Sequence, residues 1–179
     1  MNKKLKLTLI ISPIVIIFLY FFTALYSFHQ FHKGIYYNDK KLIKDYVEWN
    51  ELRENFKNYI NIQLLKETQK SDELKDLGEL GVLLTGLAGK LVETMVDSYL
   101  NPEGLSMLIE KSEKKDEIPK PTLLTLIGGF TIMDFNSLSS FYITYENEGQ
   151  EFPVFFNRKG LIWKITQIEF PENLLGDLK

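Results

Sequence analysis

The amino-acid sequence predicts an α+β fold: an N-terminal transmembrane helix, then several helices packed on a C-terminal antiparallel sheet of three or four strands. Three observations lead to this prediction. Residues 7–28 form an uncharged apolar run, apolar residues recur at helical spacing through the middle of the chain, and they alternate with polar residues over the last third. Amphipathic helices repeat every three to four residues and half-buried strands every second residue, so the two periods indicate a helical part followed by a sheet part.

The run at residues 7–28 is long enough to cross a membrane. As a helix it extends about 33 Å, and the hydrocarbon core of a bilayer is about 30 Å thick. Lys3, Lys4 and Lys6 precede the run, and aromatic residues are concentrated at its other end. Lysines favour the cytoplasmic side and aromatic rings the membrane–water interface. We therefore expect residues 1–6 to be a cytoplasmic basic flank, residues 7–28 to be a single-pass anchor in the lipid bilayer, and the remainder to lie outside the cytoplasm.

A cleaved signal peptide is the alternative interpretation of the same run. Cleavage requires small residues in an A-x-A-like arrangement. Ala24 and Ser27, the small residues near the end of the run, are flanked by bulky leucine, tyrosine and phenylalanine side chains. Because the sequence offers no good cleavage site there, it favours an anchor that stays attached.

Residues 29–179 are predicted to form one extracytoplasmic domain, with a helical part at 29–111, a charged linker at 112–122 and a sheet part at 123–171. The whole chain has a formal net charge of −3, and the three lysines of the basic flank leave this domain more acidic still. An acidic domain disfavours general nucleic-acid binding, which requires a basic face. The sequence contains no cysteine, which excludes thiol catalysis, disulfides and cysteine metal sites.

Capping residues mark three helix starts in the helical part. Asp39, Asn50 and Asn101 each precede a helical pattern, and the last is followed by proline and an acid. Side-chain oxygens of Asp and Asn accept hydrogen bonds from the free N–H groups of a first helical turn. The apolar run at 80–100 contains three charged residues, so it is predicted to be a buried, closely packed helix rather than a second span.

Alternation over residues 141–146, 152–156 and 161–165 predicts three strands of an antiparallel meander, and 130–135 is a candidate for an additional first strand. The parity of the apolar residues changes near Thr166, which predicts a β-bulge there.

Two aromatic residues predict how the helical and sheet parts pack together. Trp163 falls on the apolar face of the last strand, and Phe56 falls on the apolar stripe of the helix that follows Asn50. We therefore expect this helix and this strand to face one another around a buried Trp163.

Several short motifs occur in the order found in a known family. They are Ala24-Leu25-Tyr26, Asn38-Asp39, Tyr46-Val47-Glu48-Trp49, Leu52-Arg53, Pro102-Glu103-Gly104-Leu105, and Arg158, Gly160, Leu161, Trp163, Lys164 and Ile165 near the C-terminus. With these motifs, over residues 20–171, the chain resembles the bacterial domain-of-unknown-function family DUF2939. Glu48, Trp49 and Asn50 depart from the family pattern, which has Asp, Phe and Pro there. The resemblance implies a bacterial protein, and so an anchor in the inner membrane with the domain in the periplasm or exterior.

The order of elements is also similar to NTF2-like and cystatin-like α+β domains, which place an early helix against a curved antiparallel sheet. This similarity concerns the fold alone, because such folds include enzymes, binding proteins and scaffolds.

Two groups of residues are candidates for a site. Glu48 and Arg53 flank a helix start, where they would pair with each other or hold a ligand carboxylate. If the sheet is concave, its apolar face would line a pocket made of Phe141, Ile143, Phe156, Trp163 and Ile165. Packing in the core is the competing interpretation of that face.

The other titratable residues predict no catalytic, cofactor-binding or metal site. His29 and His32 share a helical face, but zinc requires further ligands, so a packing role is expected. Acids of the sheet part, such as Asp134 and Glu146, lie at turns or on polar strand faces, which favours solvated side chains over a general base.

The sequence thus predicts a binding or protein-interaction module at the envelope, with the bilayer and either an envelope protein or an apolar ligand as partners and with no cofactor. The alternative is an NTF2-like hydrolase or isomerase with an apolar pocket. A carboxylate buried at the base of the sheet would distinguish the enzyme from the binding module.

Overall fold

The computed structural model describes residues 3–70, 76, 78–112, 118–147 and 149–171. These residues form an α+β fold with helices packed on a C-terminal four-stranded antiparallel sheet, which confirms the predicted class. The helices are α1 (Lys3–Tyr37), α2 (Lys40–Asp45), α3 (Trp49–Lys70), α4 (Glu79–Tyr99), α5 (Pro102–Lys111) and α6 (Leu123–Gly128). A short 3₁₀-helix (Gly129–Thr131) leads into β1 (Asp134–Ser137), β2 (Ser140–Asn147), β3 (Gln150–Lys159) and β4 (Ile162–Ile168).

The sheet is a meander in the order β1-β2-β3-β4, with each neighbouring pair antiparallel. The three predicted strands correspond to β2, β3 and β4. The additional first strand forms at 134–137 rather than at 130–135, because the chain before it packs against α1. A Cβ atom at Gly129 would lie 2.8 Å from Leu25 Cδ1, so the backbone approaches the helix closely there.

The predicted β-bulge is confirmed in β4. Phe155 and Phe156 are opposite Gln167 and Ile165, which leaves Thr166 as the extra residue. Thr166 is buried, and its hydroxyl accepts a hydrogen bond from the side chain of a β3 asparagine at 2.9 Å. The bulge therefore turns a polar side chain towards a partner inside the fold.

Two of the three predicted helix caps are confirmed. Asp39 Oδ1 accepts hydrogen bonds from the backbone N–H groups of Lys41 and Leu42 at 2.9 and 3.2 Å. Asn101 Oδ1 accepts one from the N–H of Gly104 at 2.8 Å. Each cap satisfies donors that the first helical turn leaves free.

The third predicted cap, at Asn50, is wrong because α3 begins earlier, at Trp49. The backbone N–H of Glu48 donates to the carbonyl of Ile165 at 2.7 Å, and the carbonyl of Glu48 accepts from the N–H of Leu52 at 2.9 Å. The start of α3 is thus set by pairing with β4, a contact distant in sequence.

The hydrophobic core lies between the second half of α1 and the inner face of the sheet. Its buried members are Ala24, Leu25, Val47, Leu52, Met133, Phe141, Phe156, Trp163 and Ile165. Phe141 and Phe156 stack with ring centroids 4.7 Å apart, and Phe28 and Phe31 of α1 meet Phe156 edge-on. The helix that contains the apolar run is therefore also a layer of the domain.

Helix α3 contacts β4 and Trp163 is buried, as predicted, but Phe56 lies outside the cluster around Trp163. Trp163 is 0% exposed and packs edge-on against Tyr20 of α1, with ring centroids 5.6 Å apart. Phe56 packs instead on Phe170, beyond the end of β4, at 5.2 Å. Because α1 covers the sheet face that carries Trp163, α3 lies beside β4, the edge strand.

The prediction of a buried helix at 80–100 is also wrong. The helix is present as α4, but Gly81 and Val96 are the buried residues along it. An apolar stripe on this helix is exposed by 50–66%: Leu80, Leu84, Leu87, Leu91 and Met95.

Gly104 marks a very close approach between two helices. A Cβ atom at this position would lie 1.9 Å from the carbonyl oxygen of Tyr99, at the end of α4. A side chain cannot fit at that distance, so the first turn of α5 requires glycine.

Candidate functional site

The two halves of α1 have different surroundings. Apolar side chains of the first half are 46–65% exposed: Leu9, Ile11, Ile14, Val15, Ile16, Ile17, Phe18 and Leu19. From Tyr20 onward the helix lies against the sheet, and Ala24, Leu25 and Ser27 are buried. By length and composition α1 is able to cross a membrane, a property that N-terminal signal sequences share.

Hydrogen bonds join the second half of α1 to the last strand. The backbone N–H of Trp163 donates to Ser27 Oγ at 3.0 Å, and its indole Nε1–H donates to Thr23 Oγ1 at 3.0 Å. The guanidinium of Arg158 lies 4.6 Å from the ring centroid of Tyr20, a cation–π contact. Polar groups within the apolar helix are thus used for contacts with the sheet.

The end of the sheet nearest Tyr20 contains the β1–β2 and β3–β4 turns. Phe21 packs on Phe135 beside the first turn, with ring centroids 5.0 Å apart. Leu138 in the β1–β2 turn is 81% exposed, and Leu161 in the β3–β4 turn is 77% exposed. Solvated hairpin turns favour Gly, Asn, Asp and Ser, so a leucine in each turn is unusual.

The opposite end of the sheet is acidic. There Glu146 of β2 is in register with Glu151 of β3, and Gly149 occupies the turn with a φ of +75°. The two ends of the sheet therefore differ in both polarity and charge.

An apolar groove of about 620 Å³ lies between α1, the segment around Pro119 and the sheet. Its lining includes Phe28, His32, Ile132, Ile143 and Tyr145. The described lining contains no carboxylate. An apolar wall with a few polar groups is typical of sites for small apolar ligands.

Burial lowers the pKa of His32 below its usual value, and a hydrogen bond with the Pro119 backbone opposes this in part. The pKa of His29 is also lowered, by burial first and then by the neighbouring charges of His32 and Lys33. Among the described residues, no group of three or more His, Cys, Asp or Glu side chains could hold a metal ion.

The residues predicted to line a pocket lie in two places. Phe141, Phe156, Trp163 and Ile165 are at most 3% exposed and pack in the core between the sheet and α1. Ile143 lies on the groove. Whether any of them touches a ligand stays a prediction.

Glu48 and Arg53 each contact a different partner. A carboxylate oxygen of Glu48 lies 3.5 Å from Lys164 Nζ. The guanidinium of Arg53 donates to Asn50 Oδ1 at 2.7 Å and lies 3.7 Å from a carboxylate oxygen of Asp97. Both pairs are consistent with structural ion pairs at the start of α3, and a role for either residue in ligand binding stays a prediction.

The hairpin of α3 and α4 leaves the apolar stripe of α4 uncovered. The two helices meet through small and polar residues: Thr68 Oγ1 lies 3.2 Å from Thr85 Oγ1, and a Cβ at Gly89 would lie 3.4 Å from Asn61 Oδ1. Exposed apolar patches on proteins mark contacts with other proteins, membranes or ligands, or a tendency to aggregate.

The sequence interpretation assigned no site role to Ser27, Leu138 or Leu161. It placed Leu161 on the apolar face of the last strand with Trp163, and this is wrong, because Leu161 lies in the β3–β4 turn and is 77% exposed. The meaning of these three residues depends on which end of the sheet the helix meets, and no local pattern specifies that.

Comparison with known protein families finds a match over the first part of the chain. The model of a family described as protein of unknown function (DUF2939) matches residues 14–108, more than half of the chain. The match takes in the second part of the apolar run and the helices as far as α5, and it ends before the sheet. No curated protein and no solved structure matches the chain. The chain therefore belongs to the DUF2939 family.

Proposed function

We propose that this protein is a single-pass protein of the bacterial inner membrane whose domain, in the periplasm or exterior, binds an envelope protein through the apolar stripe of α4. The residues Leu80, Leu84, Leu87, Leu91 and Met95 are spaced at three or four positions and so share one face of the helix. Their exposure is the observation that carries the proposal.

An uncleaved anchor is supported by the role of α1 in the core. Cleavage near residue 27 would remove Thr23 and Ala24 and would separate Ser27 from its helix. Trp163 would then lose its hydrogen-bond partners and part of its cover. A signal peptide is discarded after export, so it cannot contribute buried residues to the mature fold.

The direction of α3 supports a hairpin whose far end, with Leu80 and Leu84 at the start of α4, lies away from the bilayer. Glu51 forms an ion pair with Lys159 near the β3–β4 turn, Asn55 donates to the Thr166 carbonyl at 3.0 Å, and Tyr59 donates to the Pro171 carbonyl at 2.9 Å. Helix α3 thus runs from the end of the sheet beside Tyr20 towards the opposite end and continues beyond it.

Two measurements test the anchor. The mature N-terminus should be Met1 or Asn2, and a reporter fused at Lys179 that is active only outside the cytoplasm should be active. A mature chain beginning near residue 27, or a silent reporter, contradicts the proposed topology.

Site-specific photocrosslinking in intact cells tests the partner surface. A photoreactive residue at Leu87, which is 54% exposed, should form an adduct with another protein. The photoreactive residue placed instead at Leu124 of α6, which is 80% exposed, is the control for general reactivity and should form no adduct. The Leu87 adduct should disappear when Leu84 and Leu91 are both changed to lysine. An adduct with a second copy of this chain or with lipid, or no adduct, contradicts the proposal.

A second candidate is binding of an apolar ligand in the groove, and it is favoured by Phe28, Ile132 and Ile143 in its lining. An NTF2-like hydrolase or isomerase would also use such a groove, but it requires a general base. His32 is the imidazole in the lining. If the groove binds ligands, a fluorescent apolar probe should bind to the protein, and Ile143→Trp should fill the groove and prevent that binding. Loss of turnover in His32→Gln would favour the enzyme.

A further inference from the structure

The length of the uncovered half of α1 limits where the domain can sit. Lys3, Lys4 and Lys6 belong to the basic flank, so the uncharged residues 7–19 supply about 20 Å, which is about 10 Å less than a hydrocarbon core of about 30 Å. Residues beyond Leu19 cannot move freely into lipid, because the sheet covers Ala24, Leu25 and Ser27. The end of the sheet beside Tyr20 must therefore lie against the bilayer rather than on a stalk above it.

The residues at that end of the sheet are of the types that favour a membrane–water interface. Leu138 and Leu161 are the exposed apolar residues of the two turns. Arg158 and Lys159 lie beside them, with the guanidinium of Arg158 over the ring of Tyr20 and the ammonium of Lys159 paired with Glu51 at the start of α3. The N–H of Arg158 donates to the Ser139 carbonyl at 2.8 Å, which links one turn to the other. Apolar side chains next to cations match the layer where acyl chains meet phosphate groups.

A cleft of about 350 Å³ opens between α1 and the β1–β2 turn. The rings of Tyr20, Phe21 and Phe135 form its apolar wall, and Asn136 and Ser137 supply polar groups. Aromatic rings favour the interface, because one side of that layer is apolar and the other is wet. The acidic turn at Glu146 and Glu151 is at the other end of the sheet, away from anionic lipid.

We propose that the β1–β2 and β3–β4 turns form a second membrane contact, in which Leu138 and Leu161 enter the interfacial layer and Arg158 and Lys159 lie beside the phosphates of anionic phospholipids. This contact rests on the proposed anchoring of the protein through α1. It fixes the domain at one height and in one orientation on the bilayer, so the far end of the α3–α4 hairpin points away from the lipid.

Single-cysteine labelling of the full-length protein tests this contact, because the chain has no cysteine of its own. Leu138→Cys and Leu161→Cys carry an environment-sensitive fluorophore at the turns, Glu151→Cys carries it at the opposite end, and Ile16→Cys reports the anchor. All four positions are exposed, so labelling leaves the core intact. The proteins are reconstituted in phosphatidylcholine vesicles, with and without phosphatidylglycerol, that contain lipids bearing a quencher near the headgroup.

Labels at 138 and 161 should be quenched at least about twofold more than the label at 151, because the interface accepts apolar groups to a depth of about 5–10 Å. The quenching should increase when phosphatidylglycerol is present, as expected for cations beside anionic lipid. If Ile16→Cys is quenched and both turn labels behave like Glu151→Cys, the second contact is overturned and the anchor stands. If Ile16→Cys is not quenched, the anchor itself fails, and the second contact with it.

Discussion

The backbone N–H of Trp163 donates a hydrogen bond to Ser27 Oγ at 3.0 Å, between residues 136 positions apart in the sequence. Both residues are 0% exposed. A serine inside an apolar helix is therefore matched to a donor of the last strand, and α1 is held to the sheet by a specific contact as well as by apolar packing.

Replacing Ser27 tests this contact directly. Ser27→Ala leaves the N–H of Trp163 buried without an acceptor, which should lower the free energy of unfolding by about 1–3 kcal/mol. Chemical denaturation of the full-length protein in detergent micelles, followed by circular dichroism, measures the change. Ser139→Ala, at an exposed turn, should change stability by less than about 0.5 kcal/mol. Equal effects of the two changes would contradict the contact.

Removal of the buried indole should be more severe. Trp163→Ala deletes the ring that packs against Tyr20 and Phe141, with an expected loss of about 3–5 kcal/mol. The same denaturation experiment with Leu161→Ala is the control, because Leu161 is 77% exposed. A loss below about 1 kcal/mol for the tryptophan would show that its ring is accessible to solvent.

Truncation should show where the folded domain begins. A fragment of residues 20–179 keeps Ala24, Leu25 and Ser27, and we expect a cooperative thermal transition. A fragment of residues 30–179 starts after the predicted anchor and lacks these buried residues, so its core is open on one side, and we expect no cooperative transition. Differential scanning calorimetry distinguishes the two, and matching melting temperatures would contradict a core that includes α1.

Replacing glycine with alanine should have opposite effects on stability at Gly104 and at Gly86. Gly104→Ala brings a Cβ atom to 1.9 Å from the Tyr99 carbonyl oxygen, so α4 and α5 must separate. A loss of more than about 3 kcal/mol is expected, as for other severe steric conflicts. Gly86→Ala is the control, because its Cβ has no neighbour within 4 Å and alanine should stabilise the helix by about 0.5–1 kcal/mol. Stability is compared in denaturant for the two variants, and a neutral Gly104→Ala would contradict the packing of α5.

Acid should destabilise the fold through His32 and His29. The pKa of each is lowered in the folded state, chiefly by burial, from the usual value of 6.5. Between 6.5 and the lowered values the unfolded chain binds more protons, so stability falls as the pH drops through this window. The double change His29→Gln and His32→Gln should reduce the slope of stability against pH over this interval. An unchanged slope would mean that neither histidine is responsible.

Local patterns in the sequence predicted several elements because the physical cause is itself local. Asp39 and Asn101 bond to N–H groups two or three residues away, so their helix starts follow from residue type and spacing. The parity change at Thr166 requires only the alternation along one strand.

Features that depend on distant partners were not predictable in this way. The apolar run reads the same whether Ala24 and Leu25 contact lipid or protein, so the boundary drawn after residue 28 crosses a helix that belongs to the core. The apolar run of α4 predicted a buried helix, whereas the apolar stripe of that helix is exposed. The sequence predicted a helix cap at Asn50. Pairing of Glu48 with Ile165 makes the helix start two residues earlier.

The contact between Ser27 and Trp163 also sets the order of assembly during biosynthesis. Among the described elements, α1 is synthesised first and β4 last, and 136 residues separate Ser27 from Trp163. At synthesis rates of about 5–20 residues per second this delay is on the order of 10 s. During that time the helix has no sheet to cover it, so the core can close only after β4 has been synthesised. A chain released before β4 would retain an open apolar face on the second half of α1.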